Sequence, residues 1–258
     1  MLDFSAFKLL KHPKKADPRN FRFAVLRKPV ALPAAYDVDK RIPGLTNPMF
    51  ANDRYGCCVI AERAHQTRRF EYVETKKLIT ITDKEVTAEY FRQSGGADSG
   101  LVMLDSLKAW RSRGWTAARQ NLKIRAFAEL AGQDLARQVR QTIYTDCGLD
   151  AGLWLPVSAQ AEIATKKPWS KTTGPGSSPG SWGGHCVLIV AYDQTYLTCI
   201  TWAQRQKMTW RFFAKYCDES YGVIDAATTA KRRRSLDLAL LRELLEEHDA
   251  PVDHRMAA

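Results

Sequence analysis

Residues 183–193 read GGHCVLIVAYD, and this stretch decides how the chain is read. The run Cys186–Ala191 is apolar without a break and rich in branched aliphatic side chains. Two glycines stand before it and Asp193 closes it, so it has the length and the borders of a buried strand. His185 opens that strand, at the point where loop meets sheet. Alone, a histidine after two glycines reads as a turn residue. It gains meaning only from what the rest of the chain places opposite it.

Working outward, YLTCITW (196–202) reads as a neighbouring strand, and GLDAGLWLPV (148–157) alternates like another. MTWRFFAKYCD (208–218) predicts a helix and YGVID (221–225) a short strand. The first half is different. Val59, Ala61, Ala64, Phe70 and Val73 give a helix over about 58–73 an apolar stripe, with Arg63, Arg68 and Arg69 expected elsewhere on its surface. In ITDKEVTAEYF (81–91), Thr82 or Asp83 caps a second helix and Glu85 supplies a carboxylate in its first turn. Leu104, Leu107 and Trp110 mark a third over about 101–113, and 133–144 is a fourth. Helices first and strands later predict an α+β chain rather than a wound βαβ sheet. Residues 32–52 read as irregular surface chain, and PWSKTTGPGSSPGSWGG (168–184) as a loop running into His185. Leu236, Leu240, Leu241 and Leu244 make the tail over about 235–247 amphipathic.

Of the 258 residues, 45% are apolar and 26% charged, with a net charge of +11, values that fit a globular protein. No run approaches 18 apolar residues and the N-terminus lacks a long apolar core, so the expectation is a cytoplasmic protein with no membrane span. Free thiols are expected for the six cysteines in that setting. No CxxC pair is present, and neither a metal nor a cofactor is expected. Residues 1–30 hold eight Lys or Arg against two Asp, and Lys231–Arg234 adds four more cations. These read as solvated basic tails; the sharper alternative is a basic arm that touches nucleic acid or an acidic partner. No zinc-finger spacing or RNA-binding aromatic motif accompanies them.

One thiol stands out. Cys58 follows Gly56 at the predicted start of the first long helix, where the positive end of the helix dipole favours a thiolate. An imidazole does the same, and His185 opens a strand 127 residues further on. Cys57 reads as a packing residue at the helix start, and His65 as surface or packing.

Several segments together resemble the papain-like cysteine peptidases. LPAAYDV (32–38) resembles the opening of the mature domain. NDRYGCC (52–58) resembles the segment from the oxyanion glutamine to the cysteine, with Asn52 at the glutamine position. DSG (98–100) is similar to the Asn-Gly-Gly turn, GGHCVLIVAYD to the histidine strand, and ITWAQ (200–204) to the Asn-Ser-Trp-Gly turn. The likeness covers roughly residues 32–224, and extends to a group of bacterial and phage proteins with an Asn-Asp-x-x-Gly-x-Cys segment. It implies a two-lobed α+β fold with a helical left lobe, an antiparallel β-sheet or barrel as right lobe, and a C-terminal helix. The expected divisions are a basic arm over 1–30 and a catalytic domain over 31–228, with lobes at about 53–130 and 131–228. A basic linker and tail helix over 229–258 follow.

The resemblance further implies Cys58 as nucleophile, His185 as general base and acid, and Asn52 as oxyanion donor. Gly100 and Gly184 would let the backbone of a peptide or amide substrate approach. Ile200 stands where the family places the orienting asparagine, so Thr201 or Gln204 would have to hold the imidazole. Loss of that asparagine supports an alternative, a binding or structural protein that keeps the fold with little turnover. The arm is too short to resemble a helical propeptide, so the full-length chain is expected to be the active form.

Overall fold

The computed structural model describes residues 2–225 and 235–249. Residues 226–234, which include the Lys231–Arg234 run, and 250–258 lie outside the described residues. The helices are α1 (Phe23–Leu26), α2 (Cys58–Thr75), α3 (Asp83–Gln93), α4 (Met103–Ser112), α5 (Leu135–Asp146), α6 (Val157–Ala164), α7 (Trp210–Tyr216) and α8 (Leu238–Asp249). The strands are β1 (Tyr36–Asp37), β2 (Trp115–Ala117), β3 (Gln120–Leu122), β4 (Ile124–Glu129), β5 (Leu149–Leu155), β6 (Gly183–Tyr192), β7 (Tyr196–Thr201), β8 (Gln204–Thr209) and β9 (Cys217–Asp225). Seven strands form one antiparallel sheet in the order β4-β9-β5-β6-β7-β8, with β1 added on β6. The pairing of the described strands leaves it open, so the right lobe is a curved sheet and not a closed barrel. The α+β reading and the helical first lobe stand.

β6 is the spine of the sheet. It pairs with β5 and, beyond the end of β5, with β1 on one side and with β7 on the other, and Val187–Val190 are wholly buried. Continuous hydrophobicity, rather than alternation, is what a strand covered on both faces requires. Helix α2 covers one of those faces. It is buried on nearly every side, which corrects the expectation of a single apolar stripe with arginines on the surface.

The arginines are accommodated because each finds acceptors. Arg69 donates to both carboxylate oxygens of Asp39 (2.8 and 2.9 Å), to Asn47 and to the His65 carbonyl. Arg68 donates to the carbonyls of Ile79 and Thr46. Arg63 donates to Ser106 and lies over the Trp110 ring. A buried cation is tolerated only with such partners. His65 is a packing residue, 4.8 Å from Phe50 between ring centroids.

Helix α3 begins as read: Thr82 accepts from Glu85 N–H while the Glu85 carboxylate accepts from Thr82 N–H, a reciprocal capping box. The elements missed in sequence are short or weakly patterned: α6, the β2–β3 hairpin, β4 and β8. β4 leaves the helical half of the chain to pair with β9, so the sheet draws on both halves.

The N-terminal arm departs most from expectation. Phe4, Leu9, Lys11, Phe23, Leu26 and Arg27 are buried, and all eight arm cations meet carboxylates of this chain. Lys8 pairs with Asp98, Lys11 with Asp218 and Glu219, Lys14 and Arg22 with Glu129, and Lys15 with Asp105. Arg19 pairs with Asp17, Arg27 with Asp146 and Lys28 with Asp237. Charges spent internally are not a free basic surface, and the nucleic-acid reading of the arm has no support. The tail helix docks on this arm: Lys28 N–H donates to Ser235 O, Asp237 N–H to Leu26 O, and Leu241 is wholly buried.

Two outcomes follow from this packing. Thr82→Ala removes the cap of α3 and costs about 1 kcal/mol in urea unfolding. The second concerns Glu62 on α2 and Asp150 on β5, which are both buried and close enough to influence each other's charge. Burial, then the Asp150 charge, pushes the Glu62 carboxyl well up, and burial pushes Asp150 up to about 6. A raised acid stabilises the fold only while protonated, so this contribution is full below about pH 4 and lost as pH rises through about 6. Asp150→Asn should therefore match wild type in Tm at pH 4 and exceed it at pH 8; an advantage independent of pH would contradict this.

Candidate active site

The site lies where the N-terminus of α2 meets the first residues of β6. Asn52–Cys57 form the turns that lead into α2, with Cys57 at its N-cap and Cys58 as its first residue. Phe50 and Ala51 take left-handed backbone conformations ahead of this turn (φ 55° and 57°). The turn is tied down by Asp98. Its Oδ1 accepts from Gly56 N–H (2.9 Å) and from the Tyr90 hydroxyl (2.7 Å), and its other oxygen meets Lys8 Nζ (2.6 Å). Tyr90 in turn accepts from Gly100 N–H (2.9 Å). One carboxylate thus fixes the cysteine turn, helix α3 and the DSG turn together.

Cys58 and His185 are both buried. Burial pushes the Cys58 thiol up to about 11, against the pull of the Cys186 N–H, the Lys11 charge and the N–H groups of Val59 and Cys58. Cys58 is the first residue of α2, so its thiol stands at the helix N-terminus. Burial of Cys57 pushes its thiol higher still, and its Sγ faces the Phe50 carbonyl (3.5 Å) on the other side of the turn. The two adjacent cysteines therefore have different surroundings.

The imidazole of His185 is held on two sides. Its Nε2 is 2.7 Å from Thr201 Oγ1, and its ring stacks on Trp202 at 4.2 Å and 12°. Its Nδ1 is buried with no hydrogen-bond partner among the described residues. Burial pushes the imidazole down to about 3. Thr201 ends β7 and pairs with Gln204, which opens β8, so Trp202 and Ala203 form a two-residue hairpin turn. Both have positive φ (44° and 61°), the geometry of the tight turn that matches strand twist. Neither residue is glycine, so the turn carries backbone strain, and it is this turn that lays the indole on the imidazole. Trp182, Trp169, Phe4 and Phe7 pack around the same indole.

Of the two residues considered for holding His185, Thr201 makes the bond. Gln204 sits across the turn with its Nε2 buried and unpartnered among the described residues. Asn52 is buried beside the turn, and its Nδ2 donates to the Tyr55 carbonyl (3.3 Å) and toward Cys57 Sγ (3.9 Å). The loop before β6 is pinned rather than slack. Trp169 is buried and pairs with β8, and Lys171 and Ser177 carbonyls accept from the Tyr216 hydroxyl.

Gly100 and Gly184 flank a groove beside the Gly56 turn, and residues 10–12 of the arm lie in it. Lys11 N–H donates to Gly184 O (2.9 Å) and His12 N–H to Leu101 O (3.0 Å). A Cβ on Gly100 would fall 1.8 Å from the Leu10 carbonyl oxygen, and one on Gly184 2.2 Å from that of Lys11. Leu10 packs so closely on Gly56 that a Cβ there would fall 2.5 Å from its Cδ1. The sequence offered a signal for this contact in the alternation of arm cations with Phe4, Phe7 and Leu9, which a solvated tail would not need.

No protein-family model matches the chain, and no curated protein matches it in sequence. Solved structures do match. Xylellain, a cysteine protease from Xylella fastidiosa, superposes with a TM-score of 0.66 at 17% identity, over 86% of this chain and 97% of that one. The Carica candamarcensis cysteine protease CMS1MS2, solved with E-64, gives 0.57 at 14%, over 76% and 100%. Procathepsin B S9 from Trypanosoma congolense gives 0.56 at 11%, over 77% and 79%. With the α2–β6 junction, the open antiparallel sheet and these superpositions together, the chain has the fold of the papain-like cysteine proteases.

Proposed function

We propose that the protein is a thiol-dependent hydrolase of peptide or related amide bonds, with Cys58 as nucleophile and His185 as its base and acid. The observation that carries this reading is a thiol at the N-terminus of α2, which packs on β6, together with an imidazole at the start of β6 whose far nitrogen and face are both fixed. Nε2 is held by Thr201 and the ring by Trp202, so Nδ1 is the nitrogen left for the thiol.

In that reaction His185 Nδ1 takes the Cys58 proton as Sγ attacks the carbonyl carbon, and the carbonyl electron pair moves to oxygen. The Cys58 N–H at the start of α2 would stabilise the oxyanion. Asn52 would assist by turning an amide N–H from Cys57. Collapse breaks the carbon–nitrogen bond, and the imidazolium protonates the departing amine. Water then attacks the acyl-enzyme, gives its proton to His185, and releases the carboxylic acid and the thiol. Thr201 is a positioning residue. Its hydroxyl accepts from Nε2–H, which selects the neutral tautomer with Nδ1 open to take a proton and persists in the imidazolium.

With residues 4–12 in the groove the pair is desolvated and neutral: the thiol is pushed up to about 11 and the imidazole down to about 3. Both shifts oppose proton transfer from sulfur to nitrogen. On this reading the arrangement is latent, an alternative to the expectation that the full-length chain is the active form, and departure of the arm would rehydrate the pair.

Labelling by a papain-directed epoxide, with site mapping, tests both parts. Wild type should label at Cys58 slowly at pH 7 and faster as pH rises toward 11. Lys11→Glu, which sets a third carboxylate beside Asp218 and Glu219 and so displaces the arm, should label at least ~10-fold faster at pH 7, and only with His185 present. Equally slow labelling of both would favour a binding protein without turnover. In the Lys11→Glu background, Thr201→Ala should lower the labelling rate ~10-fold, the worth of one hydrogen bond. Thr201→Ser should restore it; failure of serine to do so would mean the threonine acts through packing.

A further inference from the structure

Deep in the groove, the side chain of Lys11 is wholly buried, although lysine almost never is. Its Nζ donates to Glu219 Oε1 (2.8 Å), to Asp218 Oδ2 (3.0 Å) and to the His12 carbonyl (3.0 Å). It also lies 5.3 Å above the Trp154 ring. The stem runs over Gly152, where a Cβ would fall 2.7 Å from Lys11 Cε and 2.9 Å from Met103 Sδ. The carboxylates have their own supports. The Tyr221 hydroxyl donates to Glu219 Oε2 (3.0 Å) and Trp154 Nε1 to Asp218 Oδ2 (2.8 Å), while Asp218 Oδ1 is buried and unpartnered.

These walls come from β5, β9 and α4, and none depends on the arm for its position. The occupant, in contrast, is an extended segment held by backbone hydrogen bonds to Gly184 and Leu101, alongside the Cys58 helix terminus. That is how an extended peptide is held in a groove: main-chain bonds give affinity and side-chain pockets give selectivity.

We infer that the pocket formed by Gly152, Trp154, Met103, Asp218 and Glu219 is a substrate subsite for a lysine or arginine side chain, which Lys11 fills from within. This rests on the hydrolase reading of the neighbouring thiol and names its substrate class as peptides bearing a basic residue. The chemistry is selective in two ways. Two carboxylates facing one cation leave a net negative pocket that rejects acidic side chains and strands neutral ones without donors. The unpartnered Asp218 Oδ1 adds an acceptor suited to the fork of a guanidinium. Burial lowers the Lys11 ammonium, but Glu219 and then Asp218 outweigh it and raise it, so the occupant stays charged.

Peptide binding tests this apart from turnover. A full-length chain with Cys58→Ala and Lys11→Ala has no nucleophile and an emptied pocket. Its binding of fluorescent KLLKHP, the sequence of residues 8–13, is compared by anisotropy with KLLXHP, where X is norleucine. The expected result is at least 10-fold tighter binding of the lysine peptide, with the preference lost on adding Asp218→Asn and Glu219→Gln. Equal binding of the two peptides, or no saturable binding of the lysine peptide, would overturn the subsite.

Should Lys11→Ala not fold, the same pair is compared on Cys58→Ala alone. The tethered arm there divides both affinities by one factor and leaves their ratio readable. Cleavage of the lysine peptide by the chain that retains Cys58 is scored separately. Binding with selectivity but no cleavage keeps the subsite and rejects the hydrolase; cleavage without selectivity does the reverse.

Discussion

The face-to-face packing of helix α2 on strand β6 is the constraint on which the rest depends. α2 is buried on nearly all sides and β6 on both faces, so neither can shift without opening the core. The helix begins at Cys58 and the strand enters at Gly183, so the same packing that closes the core fixes the ends of the two elements that carry the proposed thiol and imidazole. Precision in the site is thus inherited from rigid elements rather than from loops. The cost is polar: the helix carries three arginines, a glutamate and a histidine into the interior, and Glu62, Arg63 and His65 each keep a buried polar atom without a partner among the described residues. Asp39 offsets part of this cost, because it takes Arg69 of α2 and Arg205 of β8 together and so joins the helix to the far edge of the sheet.

The arm adds a second layer to this logic. It supplies a strand-like segment to the groove, a cation to the Asp218–Glu219 pocket and two phenylalanines to the indole that backs His185. Each contact alone is modest. Together they exclude water from Cys58 and His185, and desolvation of an ion-forming pair favours its neutral state. On the proposed reading, latency and substrate recognition would be two aspects of one surface, since a segment lying in the groove would report what its subsites accept.

Thr201 illustrates how a site tolerates loss of a familiar residue. Ile200, at the position matched to an orienting asparagine, is buried in the sheet and contributes no polar atom. The next residue reaches the imidazole because the tight β7–β8 turn brings Thr201 and Trp202 to the ring together. A hydroxyl is a weaker orienting group than an amide, and stacking on the indole adds the restraint on the ring plane that a single hydrogen bond does not give.

Local pattern determined much of this from sequence alone. The apolar run 186–191 read as a buried strand, the Thr82–Glu85 stretch as a helix start, and Gly56-Cys57-Cys58 as a helix opening with a thiol. These features are set by backbone sterics and side-chain spacing over a few residues, so they are legible one segment at a time. What only the tertiary structure decided involves partners far apart in the chain. Among these are the choice of Thr201 over Gln204, the separate surroundings of Cys57 and Cys58, the burial of Arg63 and Arg69, and the fate of the arm. Eight cations in 30 residues read as solvated because sequence displays charge but not its counter-charge. Lys11 meets Asp218 and Glu219 more than 200 positions away, and such long-range pairing becomes visible only when the chain has closed on itself.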